Sequence, residues 1–283
     1  MSHDHGRVVF EGPVASPALQ MERWVRIYLP ASYERSPDRA YPVLYVHDGQ
    51  NAFTTVGHHV AYGWGNWQLD RTAGDLAAAG LMREIIIVAV DCGPNRYSEY
   101  RGPAGSNNRR YDAYRHFLLR ELKPRIDSEY RTVPKPSATV VLGSSMGGIC
   151  SLALAWEHPG VFGLAASLSG AFQVERRYFL LNVLRAYAGK PKRFRVYLDS
   201  GVTDGSGDDG RAVTAAVARE LRRIGWRDGA NLEHFVDERT LRPDELERAG
   251  LRGDKWSEAQ SSQHNEFYWR LRAWRALTFL FPA

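Results

Sequence analysis

Cysteine is scarce in this chain: only Cys92 and Cys150 occur in 283 residues. Two thiols make no disulfide framework, and no Cys/His spacing of the zinc-binding kind accompanies them, so neither disulfides nor a metal is expected to hold the fold. Cys92 ends an apolar strand-like run and Cys150 lies in a helix-like one, as buried inert thiols do. Long apolar runs are missing too. None approaches the ~20 residues that cross a bilayer, and the N-terminus, MSHDHGRVVF, lacks the apolar centre of a secretory signal. The expectation is a soluble, cytoplasmic protein with no membrane partner. His3 and His5 read as residues of a frayed polar tail rather than metal ligands. Internal repeats and low-complexity tracts are absent. The net charge is +5, but the arginines are scattered rather than gathered into a basic block, so no nucleic-acid partner is expected.

What is present is a globular composition, 44% hydrophobic and 24% charged, long enough for one sizeable core. "RWVRIYLP" (Arg23–Pro30) alternates and stops at proline, as a half-buried strand does. "YPVLYVHDG" (Tyr41–Gly49), "EIIIVAVDC", "SATVVLG", "VFGLAASLSGAF" and "FRVYLDSG" are continuous apolar runs, the mark of strands buried on both faces. "NLEHFVDE" alternates and reads as the last strand. Between them, "GNWQLDRTAGDLAAAGLM", "YDAYRHFLLRELKPRIDSEY" and "RAVTAAVARELRRIGW" carry helical spacing, as does the C-terminal "NEFYWRLRAWRALTFLF". Strands alternating with helices predict an α/β domain, a mostly parallel sheet with helices on both faces. One domain is expected over residues 23–283, preceded by an extension, residues 1–22, that packs on it or trails from it.

The chemistry concentrates in "TVVLGSSMGGICSLALAW" (Thr139–Trp156). Gly143-Ser144-Ser145-Met146-Gly147 fits G-x-S-x-G between a strand pattern and a helix pattern, the context of a nucleophile elbow. Such a turn holds the middle serine in a strained conformation and pushes its hydroxyl over the strand ends. The following N–H, of Met146, then faces the site of a developing oxyanion. A serine needs a base, and the base an orienting acid. His158, His234 and His264 follow Ser145. His158 comes too early, at the end of the elbow helix, and His234 lies within a strand. His264, in "SSQHNEFYW" before the last helix, is the expected base. The acid is expected after "RVYLDSG", in "GVTDGSGDDG". Asp204, nearest the strand end, is the first candidate and Asp208 the alternative, while Asp199 is within the strand and reads as structural. The second oxyanion donor is expected at the N–H of Gln50, after the strand and sharp turn of "YVHDGQNAF". His47 and Asp48 point to opposite faces of their strand and so read as shaping that turn.

With these pieces in place, the chain resembles the putative-esterase branch of the α/β-hydrolase superfamily, which includes enterobactin esterase-like proteins, feruloyl-type esterases and mycolyltransferases. The matching stretches are "YPVLYVHDGQNAF", "IIIVAVDCGPNRYSEY", "VVLGSSMGGICSLALAWEHPGVFG", "VYLDSG" and "HNEFYWRLRAWRALTFLF". The resemblance implies the α/β-hydrolase fold, Ser145 as nucleophile, His264 as base, and Gln50 and Met146 as oxyanion donors. It also implies Asp204 as acid, by position in "GVTD". Two departures stand out: the longer, more acidic loop after that position, and residues 239–263, a possible lid insertion with a short helix and Trp256. The expected function is serine carboxylic-ester hydrolysis without metal or organic cofactor. Acyl transfer by the same triad and a non-catalytic binding protein of this fold are the alternatives. Trp64, Trp67 and Arg96 are the expected substrate contacts, in a rim with Phe53, Tyr97, Tyr100 and Arg101. That rim would suit a small-molecule acyl, aryl, sugar or siderophore-like ester. Oligomeric state has no signature here.

Overall fold

The unbroken apolar runs form the middle of one sheet. In the computed structural model, residues 5–55, 65–105, 107–202, 208–249 and 259–283 are described. The strands are β1 (Arg7–Ser16), β2 (Met21–Leu29), β3 (Val43–His47), β4 (Ile86–Val90), β5 (Thr139–Ser144), β6 (Leu164–Leu168), β7 (Arg195–Ser200) and β8 (Leu232–Val236). Their order is β1-β2-β4-β3-β5-β6-β7-β8. β1, β2 and β4 pair antiparallel, and from β4 to β8 every pairing is parallel. Every residue of β3, β4, β5 and β6 is buried, which is why their sequences show no polar alternation.

Successive side chains of these strands go to opposite faces and build two cores. Val43, Tyr45, Val88, Val141 and Val196 join the core under α3 (Arg109–His116), α4 (Lys123–Glu129), α5 (Met146–Glu157) and α7 (Arg211–Ile224). Leu44, Val46, Ile87, Leu142 and Ala166 join the core under α1 (Leu69–Ala78) and α9 (Glu266–Leu280). Three short helices complete the set: α2 (Arg96–Tyr100), α6 (Val174–Tyr178) and α8 (Pro243–Arg248). A π-helical stretch, Phe117–Leu122, joins α3 to α4.

The expected α/β architecture with a mostly parallel sheet is therefore present. Residues 7–16 of the expected N-terminal extension are an edge strand of that sheet, paired along β2 through a bulge between Glu11 and Pro13. The chain reverses direction across the sheet at β3: β4 lies on one side of it and β5 on the other. In open α/β sheets such a switch point leaves a crevice at the carboxyl ends of the strands, where ligands bind. Among the described residues no helix is long and apolar enough to cross a membrane.

Candidate active site

Ser145 stands between β5 and α5 with φ 53° and ψ −120°, a backbone conformation that costs a non-glycine residue of order 1–3 kcal/mol. Its surroundings impose it. The Ser145 N–H donates to the Leu168 carbonyl at 3.0 Å, and its carbonyl accepts from Ala171 at 2.9 Å. From Ala138 to Trp156, Ser145 is the one residue that is not buried. The flanking glycines are required by close approach: a Cβ on Gly143 would lie 2.5 Å from the carbonyl carbon of Gly147, and one on Gly148 2.5 Å from Ser167 Oγ. Met146 opens α5, so its N–H has no intrahelical acceptor, and the helix dipole favours negative charge beside it.

His264 lies on the loop before α9, with Asn265 capping that helix through its side chain. The imidazole Nδ1 is 2.5 Å from Asp209 Oδ1, and Asp209 has no exposure. Asp204, the first candidate for the acid, lies outside the described residues. Asp208, the alternative, is turned outward: its carboxylate accepts from the Ala212 N–H at 2.8 Å at the start of α7, so it caps the helix and does not reach His264. Asp209 turns inward because its backbone is left-handed, φ 50°, a conformation aspartate tolerates better than most residues. The second Asp209 oxygen accepts from Gly201 N–H at 2.5 Å and Ser169 Oγ at 2.7 Å.

A buried polar network that the sequence did not reveal supports this carboxylate. Arg272, fully buried on α9, donates to Ser169 Oγ and Ser262 Oγ and lies 3.2 Å from Asp199 Oδ1 and 3.7 Å from Asp209 Oδ2. Trp269 Nε1 also donates to Ser169 Oγ, and the Trp269 ring meets His264 edge-on at 5.0 Å. Asp199 is structural, as expected from its place in the strand. Burial raises its pKa to about 6, against the attraction of Arg272. The available signal was helical spacing: Ser262, Trp269 and Arg272 lie close to His264, but nothing in sequence says which polar residues face inward.

The turn after β3 is locked from beneath. Asp48 is left-handed, φ 58°, and its carboxylate accepts both Arg96 Nε at 2.6 Å and Arg96 Nη2 at 2.7 Å. Arg96, expected as a substrate contact, is thus committed to holding this turn. The Gln50 side chain clasps Cys92, accepting from its N–H at 3.0 Å and donating to its sulfur at 3.2 Å. His47 is buried under the elbow, with Nδ1 2.8 Å from Tyr114 Oη, and burial lowers its pKa to about 4.

Trp67 is another correction. It is buried in the core beside Trp269, ring centres 5.8 Å apart, because its neighbours Leu69 and Ala73 carry it under α9. Phe53 and Tyr100 are likewise buried, whereas Tyr97 is exposed. Trp64 lies outside the described residues. Tyr97 and Arg101 both donate to Glu175 Oε1, at 3.1 and 2.9 Å, and so hold residues 175–177 of α6 in three consecutive left-handed conformations.

Within residues 239–263, two short strands, β9 (Thr240–Leu241) and β10 (Gln260–Ser261), pair antiparallel. α8 packs Leu246 against Phe267 and Tyr268. Trp256 lies outside the described residues. Glu266, two residues beyond His264, accepts from Asn51 Nδ2 at 3.1 Å, which ties the histidine loop to the turn after β3.

A family model described as "Putative esterase" matches residues 16–278. Among curated proteins, an esterase of Mycobacterium tuberculosis is 30% identical over 164 residues, 56% of this chain and 31% of that protein. Among solved structures, a ferulic acid esterase superimposes with a TM-score of 0.70 at 19% identity, covering 98% of each chain. The enterobactin esterase of Shigella flexneri superimposes with a TM-score of 0.66 at 17% identity, over 97% of this chain and 59% of the other. At these identities the structural likeness concerns the fold.

Proposed function

From the premise that the chain belongs to the Putative esterase family and is a carboxylic ester hydrolase, we propose that Ser145, His264 and Asp209 form its catalytic triad. The observation that carries this reading is the buried Asp209 carboxylate 2.5 Å from His264 Nδ1, at the strand ends where the left-handed Ser145 stands. With Nδ1–H donated to Asp209, Nε2 is the free base. Ser145 Oγ attacks the ester carbonyl as His264 takes its proton, and the tetrahedral oxyanion is stabilised by the N–H groups of Met146 and Gln50. His264 returns the proton to the leaving alcohol. Water then attacks the acyl-enzyme with His264 as base, releasing the acid and restoring Ser145. Arg96 acts through Asp48, fixing the turn that carries Gln50. The substrate is a small ester.

The test is hydrolysis of p-nitrophenyl acetate and butyrate by wild type and Ser145→Ala, with fluorophosphonate labelling of both. Wild type is expected to turn over and label. The variant is expected to do neither, with a fall of about 10³-fold or more in kcat. Equal activity or equal labelling in the two proteins would end the assignment.

A further inference from the structure

The amino ends of the parallel strands carry a cavity of about 640 Å³, at the opposite end of the strands from Ser145. The six residues of β5 separate the two, a distance of roughly 20 Å at about 3.3 Å per residue. Its walls come from Ser137 before β5, Gly163 and Leu164 at the start of β6, and Phe194 and Arg195 at the start of β7. Four cations line it, Arg83, Lys135, Arg193 and Arg195, with no aspartate or glutamate among the lining residues. Most other arginines among the described residues sit against a carboxylate within 4 Å. Among the described residues these four side chains make no such ion pair and no hydrogen bond. Glu233 acts on Arg195 only through space.

Arg195 is the informative member. Its Nε is buried without an acceptor, and its guanidinium carbon lies 4.4 Å from the Phe279 ring centre. Leaving a buried guanidinium N–H unmatched costs free energy that an incoming acceptor restores. Burial, and then the nearby charge of Arg83, both disfavour its cation. Beneath the cations the floor is apolar: Leu164, Phe194 and Leu280 are all buried. A bare inorganic anion would use the charges and waste this floor, whereas an uncharged hydrophobe would leave the charges unmatched.

We propose that this cavity is a non-catalytic binding site for an organic carboxylate, its carboxylate held by Arg195 and Arg83 and its hydrocarbon body laid on Leu164, Phe194 and Leu280. The planar guanidinium fork matches a carboxylate in bidentate geometry. Arg83, Lys135 and Arg193 are all exposed; Arg83 is the one whose charge acts on Arg195, and Lys135 and Arg193 supply attraction at the rim. The site is independent of the triad and stands whether or not the catalytic assignment does.

Isothermal titration calorimetry of octanoate into the whole enzyme in low-chloride buffer tests it. Octanoate is expected to bind with a dissociation constant of about 1 mM or tighter. Inorganic phosphate, which gains nothing from the apolar floor, is expected to bind about tenfold more weakly. Arg83→Gln with Arg195→Gln is expected to weaken octanoate binding by about tenfold or more. Lys135→Gln with Arg193→Gln changes only exposed side chains, so folding is retained, and is expected to weaken it about threefold. Ester hydrolysis should stay within about twofold of wild type in both double variants, since neither reaches the strand ends where Ser145 stands. Absence of binding up to about 10 mM octanoate, or unchanged affinity in both double variants, overturns the proposal. Phosphate binding as tight as octanoate overturns the assignment to a carboxylate.

Discussion

Asp209 accepts from Ser169 and Gly201 and faces His264 with no exposure, whereas Asp208, one residue earlier, caps α7 in water. The difference is one backbone dihedral: φ 50° at Asp209 turns its side chain under the loop. In the proposed triad, a carboxylate there fixes the imidazole with its proton on Nδ1 and stabilises the imidazolium that forms during attack. An asparagine would keep the shape but present an amide N–H to Nδ1, favouring the wrong tautomer. Asp209→Asn is therefore expected to lower kcat/KM for p-nitrophenyl butyrate by about 10³–10⁴-fold with circular dichroism unchanged. Asp208→Asn should stay within about threefold, having lost only part of a helix cap. A full loss in Asp208→Asn, or none in Asp209→Asn, would remove Asp209 from the triad.

The strand–turn–helix unit of β5, Ser145 and α5 is held at its tightest point by the glycine backbones. Adding a methyl at Gly143 sets it 2.5 Å from the Gly147 carbonyl carbon, with no flexible side chain to give way. Gly143→Ala is expected to cost about 1–3 kcal/mol in urea unfolding and to reduce kcat as the elbow shifts. Gly160→Ala, where a Cβ meets nothing within 4 Å, is the control and should match wild type. This unit was legible because an unbroken apolar run, a glycine cluster and an alanine-rich helix each carry their own physical signal. So were the order of strands and helices and the position of His264 before the last helix. β1 was not, because Gly12 and Pro13 interrupt its alternation at the bulge. The left-handed turn at 175–177 was not, because Glu and Arg disfavour that conformation and Tyr97 and Arg101, far away in sequence, help to hold it. Asp209 was passed over for a similar reason. Distance along the loop favoured Asp204, while the inward turn of Asp209 depends on Ser169, Gly201 and Arg272.

Buried and half-buried titratable groups set opposing limits on the pH range of the whole molecule. Burial lowers His47 to about 4, so the unfolded chain binds a proton first, and stability falls as pH drops from about 6.5 towards that value. Burial raises Asp199 to about 6 and Glu266 from 4.5 to about 7, the latter with a smaller contribution from Asp48. For these two the folded state holds the proton longer, so their contribution is complete below the ordinary carboxylate pKa and is lost as pH rises through the folded value. Glu266→Gln isolates one of them, because glutamine keeps the acceptor for Asn51 and cannot ionise. Below pH of about 4 wild type carries the neutral acid, and the two proteins should melt together. At pH 8 wild type must ionise Glu266 in its half-buried position, and the variant should be more stable by about 2–3 kcal/mol, a rise of about 5 °C in Tm. The loss on the acid side, which belongs to His47, should be the same in both proteins. Parallel melting curves from pH 4 to 8 would show that Glu266 ionises as freely in the fold as in water, and that the contact between the histidine loop and the turn after β3 does not sense pH.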